Sequence, residues 1–210
     1  MSNIIIIDDH PMLRNGIGQL FQAQGWSVVA EAGTAAEGEK LLYTKTWDLA
    51  VLDIHLPDRN GLEMLTDIRG MGISGPVLVH SMLPDSTVGP RVFKAGGNGL
   101  VNKGCSPDEL VSAAKRVMAG GRYVSAEFAD VLAGTLVSNA PAHPHESLSD
   151  REYQVMCHIA NGKTPKQIAE NIGCNVNTIS TYRSRILQKL KLKTSMDIMR
   201  YALTNRLVLI

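Results

Sequence analysis

Apolar and polar positions follow two regimes along this 210-residue chain. From the start to about Arg122, short apolar runs (Ile4 to Ile7, Val28 to Ala30, Leu49 to Leu52, Val77 to Val79, Leu100 to Asn102) alternate with stretches of helical period. The first such stretch puts Leu13, Ile17, Leu20 and Phe21 on one stripe, and the fifth repeats this with Leu110, Ala114, Val117 and Met118 after the start signal Ser106-Pro107. Further helices are expected near Ala35 to Tyr43, Leu62 to Arg69 and Val88 to Ala95. Gly89 and Pro90 fall inside the last of these, which predicts a late start or a kink. Five strand-helix repeats argue for an α/β domain built on a parallel sheet.

Residues 138 to 147 lack periodicity and read as an exposed linker; His143 and His145, flanking a proline there, are expected to be solvated and without a role. Every later segment reads as helix. Ser149 with Glu152 is a capping box, Asn161-Gly162 a stop, and Thr164-Pro165 with Gln167 a second start. Gly173 closes that short helix, Asn175 caps a longer one to about Lys191, and Thr194 with Asp197 opens a fourth to about Thr204. A short and a long helix across a tight glycine turn form a helix-turn-helix within an all-α four-helix domain.

Charge separates the halves. Residues 1 to 146 hold 11 Lys plus Arg against 16 Asp plus Glu, a net of −5, and residues 147 to 210 hold 10 against 4, a net of +6. Only the second half is suited to a polyanion. Cys105, Cys157 and Cys174 have no paired spacing, which fits a reducing cytoplasm better than a disulfide framework or a zinc site. The Ile4 to Ile7 run is too short for a secretory signal and meets two aspartates, and no apolar stretch approaches the ~20 residues that span a bilayer. A cytoplasmic protein without a membrane partner is expected.

Four of the apolar runs end on chemistry. Ile7 is followed by Asp8 and Asp9, Leu52 by Asp53, Val79 by His80 and Ser81, and Val101 by Asn102 and Lys103. Ligands of open parallel sheets gather beyond the carboxyl ends of strands, so these groups can share one crevice. Asp8, Asp9 and Asp53 suit Mg²⁺, which takes oxygen ligands and relieves carboxylate repulsion. Asp53 can then attack a phosphoryl donor to give an acyl phosphate, with Lys103 and Ser81 on the phosphoryl oxygens. Alone, each residue is ordinary, since an aspartate after a strand is commonly a turn former.

In this order they resemble the receiver domain of bacterial two-component response regulators, over residues 1 to about 122. The carrying residues are Asp8-Asp9, Asp53 with Pro57 and Gly61, Ser81 and Lys103. The resemblance implies a five-stranded, doubly wound, flavodoxin-like sheet and transfer of a phosphoryl group from a sensor histidine kinase to Asp53. It also implies Mg²⁺ held by Asp9, Asp53 and the carbonyl of His55, with Asp8 acting through water. Leu100 departs from the pattern, standing where receivers usually carry Tyr or Phe, and leaves open how the signal travels.

In the basic half, the longer helix puts Val176, Ile179, Ile186 and Leu190 on one face and Asn177, Thr181, Ser184 and Gln188 opposite. Such a polar face can enter a major groove, with Arg185 and Lys189 on phosphates and Arg183 snorkelling outward. Residues 147 to about 204 resemble the LuxR-type helix-turn-helix of the NarL/FixJ regulators, through Leu148-Ser149, Arg151-Glu152, Gly162, Lys166, Ile168-Ala169-Glu170, Thr178-Ile179, Arg183, Arg185-Ile186, Lys189-Leu190 and Tyr201-Ala202. The stretch Thr178 to Arg185 resembles the BvgA and EvgA branch. The resemblance implies a double-stranded DNA surface of Lys166, Asn177, Thr178, Ser180, Thr181, Arg183, Ser184, Arg185 and Lys189, with Ser180, Thr181 and Ser184 reading bases. It further implies RNA polymerase as a partner and a homodimer on phosphorylation, formed by Ser195 to Thr204 with Met196, Met199 and Leu203; core packing is an equal rival for those three.

The domains so expected are a receiver at 1–122, a linker at 123–146 and a DNA-binding domain at 147–210. The leading reading is a phosphorylation-switched transcription factor rather than an enzyme. The alternative is a constitutive DNA-binding or protein-interaction regulator. A phosphatase ranks last, because the acid two residues after the nucleophile that such enzymes need is replaced by His55.

Overall fold

The computed structural model describes residues 1–82, 85–126, 128–130, 144–205 and 207–208. The chain divides into two compact units, Met1–Ala129 and Asp130–Ile210.

The first unit alternates β1 (Asn3–Ile7), α1 (Pro11–Ala23), β2 (Ser27–Ala32), α2 (Ala35–Thr44), β3 (Leu49–Asp53), α3 (Gly61–Gly70), β4 (Val77–Ser81), α4 (Asp85–Lys94), β5 (Gly99–Asn102) and α5 (Pro107–Met118). The strands form one parallel sheet in the order β2-β1-β3-β4-β5. β1 is inside the sheet and Ile4 to Ile7 are all fully buried, which is why this strand reads as an unbroken apolar run rather than an alternation. Alternate residues Ile4, Ile6, Leu49, Val51 and Leu78 build a core with Ile17 and Phe21 of α1 and Leu110, Ala114 and Val117 of α5. On the other side Ile7 meets α2 so closely that a Cβ at Gly38 would lie 2.9 Å from its Cδ1. The strand order reverses between β1 and β3, so the crevice opens at the ends carrying Asp8, Asp9 and Asp53.

Helix starts follow their caps. Ser106 accepts from Glu109 N at α5 and Asn60 from Leu62 N at α3. α4 corrects an expectation: it begins at Asp85 rather than near Val88 and runs on through Pro90. Val88, Gly89 and Val92 are buried along it, so tertiary packing holds a helix that local propensity disfavours.

The second unit holds a 3₁₀ turn (Pro144–Ser147) and α6 (Asp150–Ala160), α7 (Pro165–Ile172), α8 (Val176–Lys189) and α9 (Ser195–Thr204). Ser149/Glu152, Thr164/Gln167 and Thr194/Asp197 are reciprocal capping boxes, and Gly173 ends α7 at φ 68°, a conformation glycine adopts without strain. Val155, Met156, Ile168, Ile172, Ile179, Ile186 and Ile198 are its core. Val176, expected on the inner face, is 41% exposed because it occupies the first position of α8, ahead of that contact.

His145 is a second correction. It is 3% exposed, not solvated: its Nδ1 lies 3.0 Å from the Tyr201 hydroxyl and the two rings meet edge to face. The turn after Pro144 folds back onto α9 and carries the imidazole with it. His143 lies outside the described residues.

Candidate functional site

β1, β3 and β5 deliver Asp8, Asp53 and Lys103 to the same point. The Lys103 ammonium lies 2.7 Å from Oδ2 of Asp53 and 2.8 Å from Oδ2 of Asp8, with all three side chains nearly buried. Burial pushes the Asp53 carboxyl up, and the ion pair with Lys103 opposes this without cancelling it. Burial alone would lower the Lys103 pKa, but the two carboxylates hold it above the usual lysine range. Ser81, at the end of the adjoining β4, is fully buried. Asp9 is more exposed, at the lip of the crevice.

The backbone around Asp53 is tightly specified. Its Oδ1 accepts from the His55 amide at 3.2 Å. Gly61 N donates to Ile54 O at 2.8 Å, and a Cβ on Gly61 would lie 2.1 Å from the Asp53 carbonyl oxygen. Only glycine lets α3 start so close to the acceptor.

Sequence reasoning missed His10. Its Nδ1 is 2.6 Å from Oδ1 of Asp9 and 3.1 Å from Oδ1 of Asp8, and its amide donates to Oδ1 of Asp8 at 2.9 Å. Position directly after the aspartate pair was the available signal. Ligand atoms of Asp8, Asp9, His10 and Asp53 lie within 4.8 Å of one another, a spacing and donor set able to hold a divalent metal ion. His55 contributes its backbone at the same strand end, and its side chain is exposed.

His80 precedes Ser81 on β4 and is buried beside Lys103. Burial first, and the Lys103 charge next, lower its pKa to about 4. Its Nδ1 has no hydrogen-bond partner among the described residues.

In the helical unit, Asn177, Ser180, Thr181, Ser184, Arg185 and Gln188 lie along the open side of α8, with Lys166 exposed on α7. The Ser180, Thr181 and Ser184 hydroxyls donate to carbonyls one turn back, which holds them against the helix in a fixed order. Thr178 and Arg183 are half-buried, and Arg183 Nε donates to Ser195 Oγ at 2.6 Å. Lys189 has an unforeseen partner. Its ammonium lies 2.6 Å from Oε2 of the buried Glu152 and 3.1 Å from the Ser147 carbonyl. Glu152 is also the acid of the α6 capping box, and Lys189 helps hold its carboxyl below the usual range although burial acts the other way.

A profile for the response regulator receiver domain matches residues 4–115, and one for bacterial regulatory proteins of the luxR family matches residues 146–202. The chain belongs to the LuxR-type response regulators. A transcriptional regulator of Pseudomonas aeruginosa is 35% identical over 99% of this chain and its own full length. BvgA of Bordetella pertussis, a virulence-factor transcription regulator, is 33% identical over 98% of this chain and 99% of its own. A LuxR-family response regulator from Aurantimonas is 35% identical, covers 65% of this chain and 99% of its own, and superposes with a TM-score of 0.61. Salmonella RcsB bound to a promoter in the presence of the phosphomimetic BeF₃⁻ shares the fold, with 22% identity, a TM-score of 0.71 and coverage of 95% and 97%. As a LuxR-type response regulator the chain is a signalling and DNA-binding protein rather than a catalytic enzyme. Among the described residues no helix is long and apolar enough to cross a membrane.

Proposed function

We propose that this LuxR-type response regulator takes a phosphoryl group on Asp53 from the phosphohistidine of a sensor kinase and thereby controls its binding to specific DNA. The observation that carries the reading is Lys103 bridging Asp53 and Asp8 at the floor of the crevice. An Asp53 carboxylate oxygen attacks phosphorus; the new P–O bond replaces the donor's P–N bond, and the leaving imidazole takes up a proton. Lys103 then exchanges its carboxylate partner for a phosphoryl oxygen, and the Ser81 hydroxyl donates to another. Mg²⁺, when bound by Asp9, Asp53 and the His55 carbonyl with Asp8 behind water, supplies positive charge for the phosphoryl oxygens. Catalysis here is positioning and charge compensation, which a buried and preorganised site supplies.

In the helical unit, Ser180, Thr181 and Ser184 read bases, with Asn177 beside them. Arg185 and Lys166 take phosphates, supported by Thr178 and Arg183. Lys189 acts chiefly inside the unit, on Glu152, and reaches phosphate only if it leaves that pair. The exposed Met196, with half-buried Met199 and Leu203, makes α9 the surface for homodimerisation on paired half-sites, from which RNA polymerase is engaged. Among the described residues Cys105, Cys157 and Cys174 form no disulfide, in keeping with a cytoplasmic setting.

Phosphoryl uptake tests the acceptor. Treated with acetyl phosphate and Mg²⁺, the wild type gains one phosphoryl group by intact mass and Asp53→Asn gains none. Equal uptake by the two proteins removes Asp53 from this role. Leu100 favours a second reading, a constitutive DNA binder: this buried aliphatic residue has no ring to reorient.

A further inference from the structure

Phe128 lies ten residues beyond α5, where the chain leaves the first unit, yet it has no solvent exposure. Its ring stacks on Phe93 of α4, with centroids 6.0 Å apart and planes 6° from parallel. One turn earlier on the same face, Gly89 presents bare backbone to that ring. A Cβ there would lie 2.3 Å from Cζ and 2.5 Å from Cε1 of Phe128. The Arg122 guanidinium covers Phe93 at 5.8 Å from its centroid, and Phe128 N donates to Ser125 Oγ at 3.3 Å. Glycine followed by proline weakens a helix interior, so α4 carries a local cost at the place where the ring sits. The notch gives that glycine a packing reason.

The same segment is tied to β5 and α5. Tyr123 N donates to Asn98 O at 3.1 Å, and Leu100 N donates to Tyr123 O at 3.3 Å. The Tyr123 hydroxyl lies 3.1 Å from Glu109 Oε1 on α5. Arg122, Tyr123 and Phe128 therefore strap α4, β5 and α5 together. α4 starts four residues after Ser81, and Lys103 immediately follows β5. The strap is fastened to the two elements leading from the groups that close on the phosphoryl.

We propose that α4 carries a docking notch for the chain's own exit segment, with Phe128 as its knob, and that phosphorylation of Asp53 shifts the balance between seated and released Phe128. This rests on the reading of Asp53 as acceptor. Because Leu100 offers no ring on β5, the aromatic group that reports the position of α4 stands on the exit segment instead. Its release frees the chain immediately before the DNA-binding unit.

Hydrogen exchange on the full chain tests this, followed in peptides covering 122–130 with and without acetyl phosphate and Mg²⁺. In the wild type, phosphorylation raises exchange there by about tenfold, the scale expected when one buried aromatic side chain loses its seat. Gly89→Ala fills the notch and Phe128→Ala removes the knob. Both exchange about tenfold faster before phosphorylation and respond little to it, while their phosphoryl uptake by intact mass matches wild type. Unchanged wild-type exchange at full phosphorylation overturns the proposal, as does a wild-type response in Gly89→Ala. If the wild type takes up no phosphoryl, the acceptor reading fails and the proposed switching fails with it; exchange in unphosphorylated Gly89→Ala still decides whether the notch holds the segment.

Discussion

The Lys103 ammonium, just after β5, sits 2.7 Å from the Asp53 carboxylate at the end of β3, across the intervening β4 and fifty residues away in sequence. It also pairs with Asp8 at 2.8 Å, so removing it leaves two buried carboxylates facing each other. Lys103→Met is expected to destabilise the first unit by about 3 kcal/mol at pH 7. Millimolar Mg²⁺ should restore part of that loss by supplying the missing positive charge. Urea unfolding with and without Mg²⁺ measures both effects.

Gly61→Ala tests the close approach of α3 to the acceptor. With a Cβ placed 2.1 Å from the Asp53 carbonyl, the loop has to move. Loss of about 2 kcal/mol or more in stability and slower phosphoryl uptake are expected, measured by urea unfolding and intact mass.

His80 makes a pH prediction. Its pKa of about 4 in the folded protein is below the ordinary 6.5, so the unfolded chain binds the proton more readily. Above pH 6.5 neither state is protonated and the group contributes nothing; as pH falls from 6.5 towards 4, stability is lost. The full loss approaches about 3 kcal/mol. His80→Gln should therefore lose less stability than wild type between pH 7 and 4.5 in parallel urea titrations.

Arg185 and Lys189 should separate cleanly. Arg185→Ala is expected to leave stability unchanged, weaken binding to all DNA sequences and lower the salt slope by about one. Lys189→Ala leaves the buried Glu152 without its counter-charge and should cost about 1–2 kcal/mol of stability, reduced by the partial exposure of the ammonium. Thr181→Ala should change preference among sequences while stability stays near wild type. Thermal unfolding and binding titrations at two salt concentrations distinguish the three.

Much of this molecule was legible in the chain because local and global signals agree. Capping boxes at Ser149, Thr164 and Thr194 marked helix starts from four residues each, and the Ile4 to Ile7 run marked an inner strand by itself. The acidic crevice followed from strand ends. What stayed hidden depends on contacts distant in sequence. The burial of His145 requires Tyr201, the pairing of Lys189 requires Glu152, and the early start of α4 accompanies packing of Gly89 against Phe128. No window of neighbouring residues contains those partners, so propensity alone read a solvated histidine, a free cation and a weak helix.

If phosphorylation of Asp53 controls DNA binding, affinity must differ with and without acetyl phosphate in the wild type and not in Asp53→Asn. In binding titrations phosphodonor is expected to change wild-type affinity for its operator by about tenfold or more, and to leave Asp53→Asn unmoved. An equal response of both proteins, or no response from a wild type shown to be phosphorylated, would contradict it.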